Sequence, residues 1–198
     1  MYLNCHTYYS FKYGTMSPKE LLENVSTALE GSTHRPTIAL TDINSTSGCL
    51  YHAMQCQNAG LPVIMGVDFR TGNRQDFIAI AQNNEGFQNI NYYLTGFLVQ
   101  GKNTPAGVLP QDPVIKNAFI IYPLKNVPDR PLRSNEYIGV NHTELFRART
   151  RLRGVFLQGS SDNETSKYVA LNTVTFRNKR DFNAHRLLRA IDKNALLS

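Results

Sequence analysis

Two uninterrupted apolar runs, Ile38-Ala-Leu40 and Val63-Ile-Met65, constrain the fold most, because strands without a polar face belong in a sheet covered on both sides. Such runs alternate with helical patterns along the chain, which argues a parallel α/β arrangement over a sandwich. Tyr2–Cys5 reads as a buried first strand. Ser17-Pro-Lys-Glu20 opens a helix: Ser17 caps its first amides, Pro18 suits the first helical position and Glu20 completes a capping box. Leu21, Leu22, Val25 and Ala28-Leu29 follow at helical spacing until Gly31. Thr37–Thr41 and Val63–Phe69 are the next strands, with a helix over Ser47–Gln57 between them. After a turn at Gly72-Asn73 come a strand over Asp76–Gln82 and a helix from Asn84 that carries Ile90, Tyr93, Leu94 and Phe97 on one side. The Gly-, Pro- and Asn-rich stretch over residues 100–116 reads as a loop. Strands are then expected at Ala118–Tyr122, Glu136–Val140, Val155–Leu157 and Tyr168–Phe176, with helices at Thr143–Leu152 and Lys179–Ile191.

At 198 residues, 41% of them hydrophobic, the chain is long and apolar enough for one domain spanning residues 1–198. No apolar run approaches a membrane span, and the N-terminus lacks the pattern of a signal peptide. Three cysteines without C-x-x-C spacing suggest neither a disulfide framework nor a zinc knuckle, so the expected compartment is cytoplasmic. The net charge of +6 is unevenly placed: residues 1–124 hold 7 Lys/Arg against 8 Asp/Glu, and residues 125–198 hold 14 against 7. Arg147, Arg149, Arg151 and Arg153 form its richest stretch, a candidate for phosphate or docking contacts.

The order of short motifs resembles the PHP (polymerase and histidinol phosphatase) domain at the start of bacterial C-family DNA polymerases, the polymerase III alpha subunits. Asn4-Cys5-His6 stands where active members have His-x-His, Thr41-Asp42-Ile43 where they have Thr-Asp-His, and Gly66-Val67-Asp68-Phe69 where they have Gly-x-Glu-Phe. Phe77–Gly86, Tyr168–Phe176 and Asp181–Ile191 match later family segments in the right order. The resemblance implies a distorted seven-stranded (βα) barrel, similar to a TIM barrel, with its site at the C-terminal strand ends. A polymerase palm would not fit in this length. The chain therefore reads as the N-terminal fragment of a shorter, second-type alpha subunit, whose magnesium-dependent nucleotidyl transfer lies elsewhere. The implied partners are the remaining polymerase domains, DNA through the parent protein, and another replication or repair protein such as a separate exonuclease; a membrane is not among them.

Carried over residue by residue, the family's metal site is depleted. Asn4 replaces the first histidine, His6 keeps the second, and Tyr13 stands where many polymerase members carry an acidic ligand. Ile43 replaces a histidine and cannot coordinate anything, while Asp68 replaces the bridging glutamate. Asp76 stands where histidine is frequent, and Thr173 and Thr175 replace an aspartate and a histidine. Asp42 is retained as a support for its neighbours, and Cys49 lies in the wrong segment to be the family's cysteine ligand. The expectation is a hydrogen-bonded polar cluster without a metal, in which Asn4, Thr173 and Thr175 serve as neutral partners. Any ion bound would be magnesium or manganese at His6, Asp68 and Asp76, with zinc or manganese expected only in an active site. The expected function is a structural or docking module; the alternative is a residual metal-dependent phosphoesterase acting on DNA 3′ ends or pyrophosphate.

Overall fold

The computed structural model describes residues 2–28, 37–100, 112–144 and 167–196. Its strands are β1 (Tyr2–Cys5), β2 (Ile38–Leu40), β3 (Ile64–Thr71), β4 (Arg74–Ala81), β5 (Ala118–Pro123), β6 (Glu136–Val140), β7 (Tyr168–Ala170) and β8 (Thr173–Val174). The helices are α1 (Pro18–Ala28), α2 (Cys49–Asn58), α3 (Asn84–Gln100) and α4 (Lys179–Lys193). The capping box forms at the start of α1: the Ser17 amide and hydroxyl donate to Glu20 Oε2 at 2.8 and 2.9 Å, and the Glu20 amide donates to Ser17 Oγ at 3.1 Å. None of the described helices is long and apolar enough to cross a membrane.

The strands form one sheet in the order β7-β6-β5-β4-β3-β2-β1-β8. Pairing is parallel at β8-β1-β2-β3 and at β5-β6-β7, but β4 runs antiparallel to both β3 and β5. The all-parallel arrangement expected from the sequence is thus corrected to a mixed sheet. The cause is local: only Gly72 and Asn73 separate β3 from β4, a connection that can close a hairpin but cannot make a crossover. Gly72 takes a φ of 60°, which suits it to that turn.

The seven-stranded closed barrel is corrected too. The run Tyr168–Phe176 is not one strand: β7 pairs with β6, and β8 pairs with β1 at the other end of the order. Leu171 and Asn172 alone separate them, so the sheet must curl until its two edges lie within the reach of that link, roughly 10 Å from Ala170 to Thr173. The result is a curled, barrel-like sheet of eight mixed strands, bridged at its seam by covalent chain. Leu171 fills the concave side there, packing with Ala39, Ile78, Ile80 and Ile121.

The opposite face carries the helices. Cys5, Ile38 and Leu40 pack with Leu21, Leu22 and Val25 of α1 and with Cys49 and Cys56 of α2. Val67, Phe69 and Phe77 pack with Ile90 and Leu94 of α3. Apolar residues therefore cover β2 on both sides, as its sequence requires. The expected helix over Thr143–Leu152 beyond Glu144, the strand at Val155–Leu157, most of the loop over residues 100–116, and Arg147, Arg149, Arg151 and Arg153 lie outside the described residues.

Glu136, at the start of β6, is fully buried and organises the proline-rich connection that precedes it. It accepts from both terminal nitrogens of Arg130 at 2.7 Å, from the Arg133 amide at 2.7 Å and from the Tyr122 hydroxyl at 3.0 Å. Burial opposes the Glu136 charge, but these donors hold its pKa below the usual glutamate range. A depressed folded-state pKa contributes stability that is present above the unfolded value and lost as pH falls through the folded one. Glu136→Gln should cost about 1–3 kcal/mol at neutral pH. Urea unfolding followed from neutral pH down past pH ~4 should show the gap between parent and variant closing in acid. A gap that persists unchanged at low pH would contradict this account.

Candidate functional site

The C-terminal ends of β1, β2 and β8 and the middle of β3 converge on one buried polar cluster, which forms the candidate pocket. Asn4 and Thr173 are register partners, and Asn4 Nδ2 donates to Thr173 Oγ1 at 2.9 Å. Its Oδ1 accepts from the Thr41 hydroxyl at 2.9 Å, so both ends of the amide are engaged. His6 lies between β8 and β3, with Nδ1 3.1 Å from Thr175 Oγ1 and Nε2 2.9 Å from Asp68 Oδ2. A carboxylate only accepts, so Nε2 carries the proton, and in the neutral ring Nδ1 accepts from the Thr175 hydroxyl.

Asp42 faces the loop after β1 rather than His6. Its Oδ1 accepts from the Thr7 amide and the Ser10 hydroxyl, both at 2.6 Å, and its Oδ2 accepts from the Thr7 hydroxyl at 2.7 Å. Ser10 Oγ in turn accepts from the Ile43 amide at 3.0 Å. Ile43 contributes backbone alone, as a bridge partner of Asp68. Asp42 is thus a support that shapes the rim of the pocket.

Asp68 gathers four donated bonds on a single oxygen. Oδ2 accepts from His6 Nε2 at 2.9 Å, Gln75 Nε2 at 2.9 Å, Arg70 Nη2 at 2.8 Å and Arg70 Nε at 3.1 Å. Its Oδ1 is buried without a hydrogen-bond partner among the described residues. Burial opposes the Asp68 charge, but the His6 and Arg70 contacts overcome it and lower the pKa. For Arg70 burial likewise opposes the charge, and Asp68 outweighs it, raising the pKa.

Asp76 is not part of this constellation. In the β3–β4 ladder Phe69 faces Phe77 and Arg70 faces Gln75, which leaves Asp76 as the extra residue of a bulge. The bulge keeps Gln75 on the Asp68 side and turns Asp76 away, where Arg74 Nε donates to it at 2.8 Å. Among the described residues no group of three or more His, Cys, Asp or Glu is arranged to hold a metal ion.

Tyr13 reaches the pocket as an aromatic wall. Its ring meets His6 edge-on at 5.4 Å and has the guanidiniums of Arg70 and Arg189 over it at 4.9 and 5.2 Å. Its carbonyl accepts from His185 Nδ1 at 2.7 Å, which ties α4 to the loop after β1.

The reading from sequence missed Arg70, Gln75, Thr7 and Ser10. For Arg70 a signal existed: residues two apart on a strand share a face, so Arg70 had to stand beside Asp68. Gln75 depends on the bulge and could not be placed from spacing.

The family sequence model of the PHP domain matches residues 3–107. A protein from Bifidobacterium adolescentis described as a metal-dependent phosphoesterase is similar in structure, at 21% identity and a TM-score of 0.33 over 48% of this chain; the chain spans 31% of that protein. An amidohydrolase from Chromobacterium violaceum is similar at 11% identity and a TM-score of 0.40, over 91% of this chain and 89% of that one. No curated protein matches the chain significantly.

Proposed function

This chain belongs to the PHP domain family, and from that premise we propose that it is a non-catalytic member, a structural or docking module of a bacterial C-family DNA polymerase alpha subunit. The observation that carries the reading is the engagement of His6, the one imidazole kept from the metal-binding motifs. A metal ligand must turn a lone pair toward the ion. Here Nε2 spends its proton on Asp68, and Nδ1 is engaged by the Thr175 hydroxyl at 3.1 Å. Asn4 is used at both ends, and Ile43 offers no donor side chain. The polymerase setting is supported by the motifs at Tyr168–Phe176 and Asp181–Ile191, which form the seam of the sheet and α4. Leu187 and Ile191, one turn apart on α4, are each about half exposed, which suits a helix covered by further polymerase domains.

The test is hydrolysis of bis-p-nitrophenyl phosphate and of single-stranded DNA 3′ ends with magnesium, manganese or zinc. No turnover above buffer is expected. Turnover abolished by His6→Ala would replace this reading with the alternative, a residual metal-dependent phosphoesterase. Template-directed nucleotide incorporation with magnesium by the parent protein tests the polymerase setting, and a parent without it would refute that part.

A further inference from the structure

The pocket residues do not fit the divalent-metal centre that the family builds at these strand ends. A transition ion needs about four or more N or O ligands. The pocket offers a single free carboxylate oxygen, Asp68 Oδ1, beside a histidine whose nitrogens are both engaged. We infer that the guanidinium of Arg70 is the resident cation of this pocket, standing on Asp68 in place of a metal ion and making the pocket's integrity independent of divalent ions. The inference rests on the metal-free reading above and names what replaces the metal.

Three features place the guanidinium there. Strand alternation puts Arg70 on the Asp68 face, and the side chain of Asn44 pins its backbone from both sides: the Arg70 amide donates to Asn44 Oδ1 at 2.9 Å, and Asn44 Nδ2 donates to the Arg70 carbonyl at 2.8 Å. Asn44 achieves this at a φ of 48°, a conformation asparagine tolerates better than most residues. The guanidinium then meets Asp68 through two nitrogens, with its side chain only 10% exposed. Tyr13 covers it with a ring face at 4.9 Å.

Charge balance agrees. Asp42 is satisfied by Thr7 and Ser10, so the ion pair at the centre of the pocket is Asp68 with Arg70. A divalent ion added to that pair would leave a buried excess of positive charge, which a low-dielectric site strongly disfavours.

The experiment is a double-mutant cycle on the chain, read by thermal unfolding in EDTA and in millimolar manganese or zinc chloride. Arg70→Met should lower the Tm by roughly 5–10 °C, because it strands Asp68 as a buried unpaired charge. Asp68→Asn combined with Arg70→Met should regain about half of that loss or more, since the neutral amide needs no cation and still accepts from His6. Arg70→Lys should fall between parent and Arg70→Met. The Tm of the parent should not move between EDTA and metal. Additive losses, or a parent stabilised by manganese or zinc, would overturn the inference. If Arg70→Met fails to fold, a folded double variant is the expected result, and a double variant that fails alike is the contrary one. Additive losses without phosphodiester turnover would refute Arg70's role alone; turnover with a coupled cycle would refute the non-catalytic reading alone.

Discussion

Asp42→Ala is expected to destabilise the chain by about 3–5 kcal/mol, lowering the Tm by on the order of 10 °C. Asp42 is fully buried and accepts three short hydrogen bonds, one from a backbone amide. Alanine supplies no acceptor and admits no ready substitute, so the Thr7 amide and the Thr7 and Ser10 hydroxyls are left in the protein interior. Such stranded donors cost more than the bonds themselves contributed. Asp42→Asn should cost about a third as much, because its amide oxygen can still serve the Thr7 amide and Ser10. Thermal unfolding of the two variants beside the parent checks both figures. An alanine variant that melts with the parent would mean that water reaches this cluster.

Gly14→Ala should be comparably damaging, for a steric reason. A Cβ at position 14 would overlap the backbone carbonyl of Thr7. That carbonyl cannot withdraw freely, because it accepts from the Ser10 amide at 2.9 Å, and the Ser10 carbonyl accepts from the amides of Tyr13 and Gly14 at 2.9 Å. Relief requires undoing the loop that presents Thr7 and Ser10 to Asp42, so the loss should exceed about 3 kcal/mol. Gly96→Ala is the control of opposite sign. Gly96 lies within α3 with nothing within 4 Å of a Cβ, and alanine there should stabilise by about 0.5–1 kcal/mol. Urea unfolding of both variants gives the comparison, and equal effects would refute the steric argument.

What the sequence discloses about this fold is what neighbouring residues decide among themselves. The capping box at Ser17 and Glu20 is complete within four residues, and the apolar runs of β2 and β3 declare their burial without reference to partners. Pairing is a different matter. Tyr168–Phe176 reads as one strand because nothing in its composition says that its first part pairs with β6 and its second with β1. The hairpin was legible at Gly72-Asn73, yet counting alternate strands and helices hid its consequence for strand direction. At the pocket, motif order brings Asn4, His6, Asp68, Thr173 and Thr175 together, since all lie on or next to neighbouring strands of the same sheet, although Asp68 sits inside β3 because that strand runs on to Thr71. Asp76 escapes because a bulge shifts the face of one residue, and a bulge leaves no mark in hydrophobic periodicity. Arg70 lies one residue beyond the Gly66–Phe69 motif, so the motif itself does not reach it.

The covalent seam between β7 and β8 also dictates an order of events while the chain is being made. β1 emerges first and finds β2 early, but its other neighbour, β8, lies 169 residues downstream, as the Asn4–Thr173 bond shows. Until then one edge of β1 offers unpaired backbone groups, a hazard that proteins ordinarily cover or blunt. Pairing across so long a separation carries a high loop-closure cost and comes late and slowly. The Thr175 hydroxyl that completes the His6 environment arrives with the same segment. The pocket therefore cannot be assembled by a nascent chain that has stalled midway, and its completion marks the moment when the first and last strands have met.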